Sequence, residues 1–171
     1  EDLGMIPATV PQVMDDLRIL SLEIQRMPKS VEETFAHPAN YPYLSVCTTS
    51  THDMNPIRAW WEEDRQVTND FWQMILGNQG EAPYFCEPWI CRQILEQHVW
   101  SPAMLTILPL QDWLSMDAQL RREDPNTERI NVPANSRHYW RYRMHLTLEQ
   151  LAAADEFNQA LTDMIAASGR C

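Results

Sequence analysis

The chain has 171 residues, of which 44% are hydrophobic and 22% charged, a balance typical of a folded domain with a sizeable core. Its 13 basic and 24 acidic residues give a formal net charge of −11. A field of this sign argues against nucleic acid and acidic membrane surfaces as partners, and it favours a neutral ligand over a phosphorylated one. Because no apolar run is long enough to span a bilayer and no signal peptide is recognisable, we expect a cytoplasmic protein.

The cysteines predict neither a disulfide framework nor a zinc site, because they are few, scattered and wrongly spaced: Cys47, Cys86, Cys91 and Cys171. We expect reduced thiols. No phosphate-binding loop or cluster of metal ligands is recognisable either, so we expect no metal and no cofactor. The chain starts at Glu1 without a methionine and runs directly into a dense motif, which predicts a segment of a longer protein.

Three short apolar runs predict buried strands, at residues 19–24, 44–49 and 104–108. Their near-continuous apolar character is typical of parallel strands that are covered on both faces. Three parallel strands cannot close a barrel, and they leave two open edges. We therefore expect either a place in a larger sheet or self-association.

Helical patterns lie between the predicted strands. Residues 10–17 place four apolar side chains on one face at helical spacing. Residues 57–63 and 68–76 follow the second strand, and Gly77 is a suitable stop for the second of these helices. Strands alternating with helices indicate the α/β class.

Helix signals also mark the rest of the chain. Residues 88–98 begin with a proline, which suits a first helical turn, and their apolar side chains are spaced to face inward. Residues 147–150 have the form of a capping box. Residues 156–168 then predict a last helix that ends at Gly169.

Polar residues follow the predicted strands, where α/β folds place their sites. Residues 50–53 (STHD) follow the second strand, residues 111–113 (QDW) follow the third, and a turn-prone segment comes at 129–134. Carboxylates in a chain that also has seven tryptophans suggest carbohydrate chemistry. Glycosyl transfer needs an acid to protonate the leaving oxygen and a carboxylate to stabilise the positive charge that develops on the sugar.

The same residues have structural interpretations. Asp53 could cap a helix that starts near Pro56. His52 could be a buried core histidine whose ring nitrogens have hydrogen-bond partners. Tryptophan is more often packed in a core than used as a sugar platform. Arg141 and Arg143 suit ion pairs with the acidic surplus.

Five ordered motifs along nearly the whole chain resemble those of glycoside hydrolase family 77, the 4-α-glucanotransferases or amylomaltases. They are EDLGMIP (1–7), SLEIQRMPK (21–29), STHDM (50–54), LPLQDWL (108–114) and RINVPA (129–134). The THDM form, followed by NPIRAWWEED, is similar to the branch found in some bacteria and in plant cytosol. The resemblance implies an α/β fold, the C-terminal part of a (β/α)8 TIM barrel with inserted and terminal helices. Residues 1–171 then carry about strands six to eight, with no separate second domain.

The resemblance also implies roles for particular residues. Glu1 matches the general acid/base, and Asp53 matches the carboxylate that stabilises the transition state by holding hydroxyls of the reacting glucose. His52 is implied to donate to the same sugar, and Asn131 to line the donor or acceptor groove. Asp2 is implied to orient its neighbour.

The resemblance further implies a retaining double displacement that moves α-1,4-glucan chains between maltodextrins, maltose or glycogen-like acceptors. The nucleophile of such an enzyme matches no residue here, so we expect the isolated segment to be inactive and the full-length parent to be active. The alternative is a non-catalytic module that binds maltodextrin or serves assembly. In either case, self-association through exposed barrel edges is expected.

Overall fold

Three parallel strands form the sheet of the chain, in the order β1-β2-β3. They are β1 (Ser21–Ile24), β2 (Ser45–Thr48) and β3 (Leu105–Thr106). The structure is a computed structural model that describes residues 6–170, so Glu1 and Asp2 lie outside the described residues. The predicted strands and their parallel pairing are confirmed, although each strand is shorter than its apolar run.

Helices and short 3-10 turns connect and flank the strands. The α-helices of the described chain are α1 (Val10–Asp16), α2 (Ile57–Trp61), α3 (Arg65–Met74), α4 (Pro88–Val99), α5 (Leu110–Leu114), α6 (Leu148–Ala152) and α7 (Asp155–Ala167). The 3-10 turns are Pro38–Asn40 and Pro125–Glu128. The α/β class predicted from the sequence is therefore confirmed.

Local signals determine where several helices begin and end. Pro88 occupies the first turn of α4, and Thr147 forms the predicted capping box with Gln150 at the start of α6. Gly77 and Gly169 adopt φ values of 68° and 75° just beyond α3 and α7, a left-handed conformation that costs glycine little. These boundaries follow from short-range hydrogen bonding and sterics.

The main core lies among α2, α3 and α4. Trp61 and Leu95 are fully buried there, and Phe71 packs edge to face against Phe35, with ring centroids 5.1 Å apart. The indole nitrogen of Trp61 donates to the carbonyl of Pro83 at 2.9 Å. The structural interpretation is therefore confirmed for this tryptophan, which is part of the core.

The apolar face of α1 is only partly covered. The helix has no buried residue, and Val13 and Leu17 are 50% and 64% exposed. Val10 and Met14, on the same face, are partly buried. A helical hydrophobic pattern indicates which side of a helix is apolar, whereas burial requires a partner surface. No helix within the same residues is both long and apolar enough to cross a membrane.

Candidate functional site

Two distant motifs meet at the carboxyl end of β2. The side-chain amide of Asn131 donates to Asp53 Oδ1 at 2.6 Å, across 78 positions of sequence. The backbone N–H of Asn131 donates to the carbonyl of His52 at 3.1 Å. His52 Nε2 lies 3.4 Å from the same carboxylate oxygen of Asp53. The structure thus brings together Asp53, His52 and Asn131, three of the four residues predicted for the site, while Glu1 lies outside the described residues.

Arg129 holds this arrangement in place, although the sequence analysis assigned it no role. Its Nε donates to the carbonyl of Asn131 at 2.8 Å, and its Nη2 donates to the carbonyl of Asp53 at 3.3 Å. The guanidinium therefore bridges the two loops through backbone oxygens. Its place at the start of the RINVPA motif was the available signal.

An exposed indole lies beside these residues. The ring of Trp140 lies 4.9 Å from that of His52, tilted by 45°, and its side chain is 59% exposed. A flat apolar surface beside hydrogen-bonding groups has the geometry that a sugar ring needs for stacking. Among seven tryptophans, nothing in the sequence distinguished this one from those of the core.

The structural alternatives for Asp53 and His52 are wrong. Helix α2 has Pro56 as its N-cap residue, and its first N–H, that of Ile57, donates at 2.8 Å to the carboxylate of Asp112. The side chains of Asp53 and His52 are 45% and 44% exposed, so neither belongs to the core. A carboxylate held by one amide and open to solvent can accept hydrogen bonds from ligand hydroxyls.

Asp112 is a buried residue that supports the loop of the candidate site through hydrogen bonds. Its side chain is fully buried and accepts hydrogen bonds from the hydroxyls of Thr49 and Ser50 at 2.6 and 2.7 Å, besides the one from Ile57. It thereby joins the end of β2 to α2 and α5. Although Asp112 follows the third strand, where a site residue was expected, its place is structural.

Arg26 holds the site loop from the other side. Its Nη2 donates to the carbonyls of Thr49 and Asn55 at 2.9 and 2.8 Å, and its guanidinium lies 4.9 Å from the ring centroid of Trp60. Burial lowers the pKa of Arg26 to about 10, so the group stays cationic at neutral pH. The residues of the SLEIQRMPK motif thus shape the loop that carries Asp53.

A buried glutamate lies under the same loop. Glu128 accepts a hydrogen bond from the N–H of Arg122 at 3.3 Å and lies 3.8 Å from the guanidinium of Arg58, while its Oε2 has no partner among the described residues. It borders a cavity of about 30 Å³ next to Ser50 and His52, large enough for about one water molecule. Burial raises the pKa of Glu128 to about 7.

The raised pKa predicts a pH-dependent contribution to stability. From its ordinary value of 4.5 to about 7, the folded state keeps a proton that the unfolded chain has released. The contribution of Glu128 is therefore full below pH 4.5 and is lost as pH rises through 7. We expect the free energy of unfolding of Glu128→Gln, relative to wild type, to rise by about 1–3 kcal/mol between pH 5 and 8 in urea denaturation. The exposed Glu81→Gln should show no such change, and equal behaviour of both variants would contradict this assignment.

The chain is similar to known proteins over most of its length. A family model for glycoside hydrolase family 77, described as 4-alpha-glucanotransferase, matches residues 1–148. The chain belongs to this family. Across 99% of its length it is 40% identical to the 4-alpha-glucanotransferase DPE2 of Oryza sativa subsp. japonica, of which it covers 18%. It is 31% identical over 96% of its length to the 4-alpha-glucanotransferase of Chlamydia muridarum, of which it covers 31%.

Solved structures show the same fold. An amylomaltase from Streptococcus agalactiae, in complex with acarbose, matches 99% of the chain with a TM-score of 0.73 at 19% identity, and 31% of that structure is covered. An amylomaltase from Corynebacterium glutamicum matches 99% with a TM-score of 0.56 at 16% identity, and 28% of it is covered. The chain of this family 77 protein thus spans between about a fifth and a third of the length of these relatives.

Among the described residues, the candidate site contains no cluster of side chains that would hold a metal. Within residues 6–170, no three side chains of histidine, cysteine, aspartate or glutamate converge on one point. Cys86 and Cys91 lie close, with their sulfurs 3.4 Å apart, but both thiols are free and buried in the core, away from the exposed loop of Asp53.

Proposed function

We propose that this chain is the C-terminal part of the (β/α)8 barrel of a 4-α-glucanotransferase. In this proposal β1, β2 and β3 are barrel strands six, seven and eight, and residues 1–171 form one unit without a second domain. Two features support it: the strands are parallel and adjacent in chain order, and the loops that follow β2 and the Pro125–Glu128 turn meet at one end of the sheet.

The proposed reaction moves α-1,4-glucan chains between maltodextrins, maltose or glycogen-like acceptors with retention of configuration. The observation that carries it is the solvent-open carboxylate of Asp53, oriented by Asn131 and flanked by His52. A carboxylate in this position accepts hydrogen bonds from the hydroxyls of a glucose unit and favours the positive charge that develops at its anomeric carbon. His52 supplies a donor to the same sugar, and Trp140 offers it an apolar face.

Two displacement steps make up the proposed mechanism. In the first, a carboxylate outside this chain forms a bond to the anomeric carbon, and the glycosidic bond breaks as Glu1 protonates the departing oxygen. In the second, a hydroxyl of the acceptor sugar attacks the same carbon, Glu1 takes the hydroxyl proton, and the carboxylate leaves. The role of Glu1 is proposed from its motif alone.

A comparison of the full-length protein with this chain tests the proposal. Each is incubated with maltotriose, and with maltose plus glycogen, and glucose release and the redistribution of chain lengths are measured. We expect transfer by the full-length protein and none by the chain, because the nucleophile is missing. Turnover by the purified chain would contradict the division of roles. Maltodextrin binding without turnover by the full-length protein would instead indicate a binding module.

Asn131 is proposed to act through Asp53. Replacing it with alanine removes the 2.6 Å hydrogen bond that orients the carboxylate. We expect kcat for transfer to fall by about tenfold, with a smaller change in KM, because a misaligned group weakens mainly the transition state. The control is Asn158→Ala, which removes an amide hydrogen bond to the carbonyl of Leu151 in the C-terminal helical region. An unchanged kcat in Asn131→Ala would contradict a positioning role.

We also propose that the isolated chain self-associates. Exposed apolar side chains beside β1, including Val13, Leu17 and Ile19, favour association. Light scattering should give a mass above the 20.0 kDa of one chain, and a clean monomer would contradict the proposal.

We propose further that the full-length parent is cytoplasmic. Two relatives, from Solanum tuberosum and Oryza sativa subsp. japonica, are named as chloroplastic/amyloplastic. Cell fractionation tests the location, and recovery of the parent in a plastid fraction would contradict the proposal.

A further inference from the structure

A cavity of about 510 Å³ next to the candidate site is lined by five arginines and no carboxylate. We call it the arginine cavity. The five arginines are Arg122, Arg129, Arg137, Arg141 and Arg143. In a chain with a net charge of −11, such a concentration of positive charge is a local reversal of the overall field.

None of these five guanidinium groups lies within ion-pair distance of a carboxylate in the part of the chain that the structure describes. Arg137, Arg141 and Arg143 are exposed, and no carboxylate there lies within ion-pair distance of them. The expectation that Arg141 and Arg143 pair with the acidic surplus is therefore wrong for the described residues. The lining residues come from loop segments rich in arginine, asparagine and tyrosine, and none of them is a carboxylate that could pair with these arginines.

The wall of the cavity also contains unsatisfied donors. Arg122 Nε and Tyr142 Oη are buried and have no hydrogen-bond partner among the described residues. The guanidinium of Arg122 lies 5.5 Å from the ring centroid of Tyr142 and donates through Nη2 to the carbonyl of Arg143. Burial raises the pKa of Tyr142, so its hydroxyl stays protonated and able to donate. Both side chains line the cavity, so the cationic guanidinium of Arg122 adds to the positive charge of its wall.

The arginine cavity is continuous with the candidate site. Arg129 lines the cavity and also donates to the backbone carbonyl of Asp53. Trp140, whose ring lies against His52, sits in sequence between two lining residues, Tyr139 and Arg141. A glucan that occupies the site can therefore extend a substituent into the cavity.

We propose that the arginine cavity binds a phosphate monoester carried on the glucan, so that phosphorylated glucans are substrates or acceptors of this enzyme. This inference rests on the proposed function. A phosphate ester presents three acceptor oxygens and about two negative charges, which match several arginine forks. A neutral glucan can accept hydrogen bonds from these guanidinium groups, but it lacks the negative charge that strengthens them. The net charge alone favours a neutral ligand, but the arginine cavity reverses the sign of the field locally. The negative field of the rest of the chain disfavours anions elsewhere, which makes the cavity selective.

Binding to the full-length enzyme tests the proposal by calorimetry. The probes are a phosphorylated maltooligosaccharide, its dephosphorylated form, glucose 6-phosphate and inorganic phosphate. We expect the phosphorylated oligosaccharide to bind at least about tenfold more tightly than the neutral one. The double variant Arg137→Gln/Arg141→Gln should lose this preference. Arg92→Gln, an exposed arginine on α4 that pairs with Glu96, should keep it.

Other outcomes would overturn the proposal. Equal affinity of the wild type for both oligosaccharides would do so without reference to any variant. Binding of inorganic phosphate as tight as that of the phosphorylated oligosaccharide would show a site for free anions instead. The double variant should keep wild-type transfer on neutral maltodextrins, which verifies its fold. Absence of that transfer in the wild type would contradict the proposed function, while the phosphate preference still tests the cavity.

Discussion

Replacing Asp53 with asparagine should lower glucan transfer by the full-length protein at least about a thousandfold. The substitution keeps the size of the side chain but removes the negative charge that stabilises the positive charge of the transition state. It also places a donor where a hydroxyl of glucose must donate. Because this interaction matters most in the transition state, we expect the loss in kcat rather than in KM.

The fold should tolerate this change. The side chain of Asp53 is 45% exposed, so the free energy of unfolding should change by no more than about 0.5 kcal/mol. The matched control is Asp163→Asn on α7, where an exposed aspartate likewise accepts one amide hydrogen bond, from Gln159 at 2.8 Å. The control should retain full activity. A transfer rate near wild type in Asp53→Asn would refute the role proposed for this carboxylate.

Replacing Asp112 with alanine should have the largest effect on stability. Three buried donors, the hydroxyls of Thr49 and Ser50 and the N–H of Ile57, would lose their acceptor together. The carboxylate also lies close enough to the buried guanidinium of Arg26 to favour its charged form. Because each buried donor without a partner costs about 1–3 kcal/mol, we expect the free energy of unfolding to fall by at least about 3 kcal/mol.

Urea denaturation measures this loss, and Asp117→Ala is the control. Asp117 lies near the end of α5 and accepts hydrogen bonds from the N–H groups of Gln119 and Leu120 at 2.7 and 3.0 Å. Its loss should cost about 1 kcal/mol, because it removes a partly exposed acceptor of hydrogen bonds within a turn. If Asp112→Ala proved no more destabilising than Asp117→Ala, the buried network would not be the element that holds the site loop.

Much of the secondary structure could be predicted because its causes are local. Glycine at a left-handed position, proline in a first turn and a capping box act within a few residues, and each was found where predicted. The continuous apolar runs likewise predicted parallel strands. The motifs also identified Asp53, His52 and Asn131 as one candidate group, because each lies in a motif of the family that the chain resembles.

The sequence by itself thus determined the α/β class, the family and the residues worth testing. Only the tertiary structure decided what those residues contact. It placed Asp112 beneath the loop as an acceptor for buried donors, made Arg129 the bridge between Asp53 and Asn131, and singled out Trp140 beside His52. The physical reason is that hydrogen bonding and burial depend on groups brought together by the fold from distant positions, such as Asp53 and Asn131, which are 78 residues apart. The spacing of residues along the chain does not predict such long-range contacts.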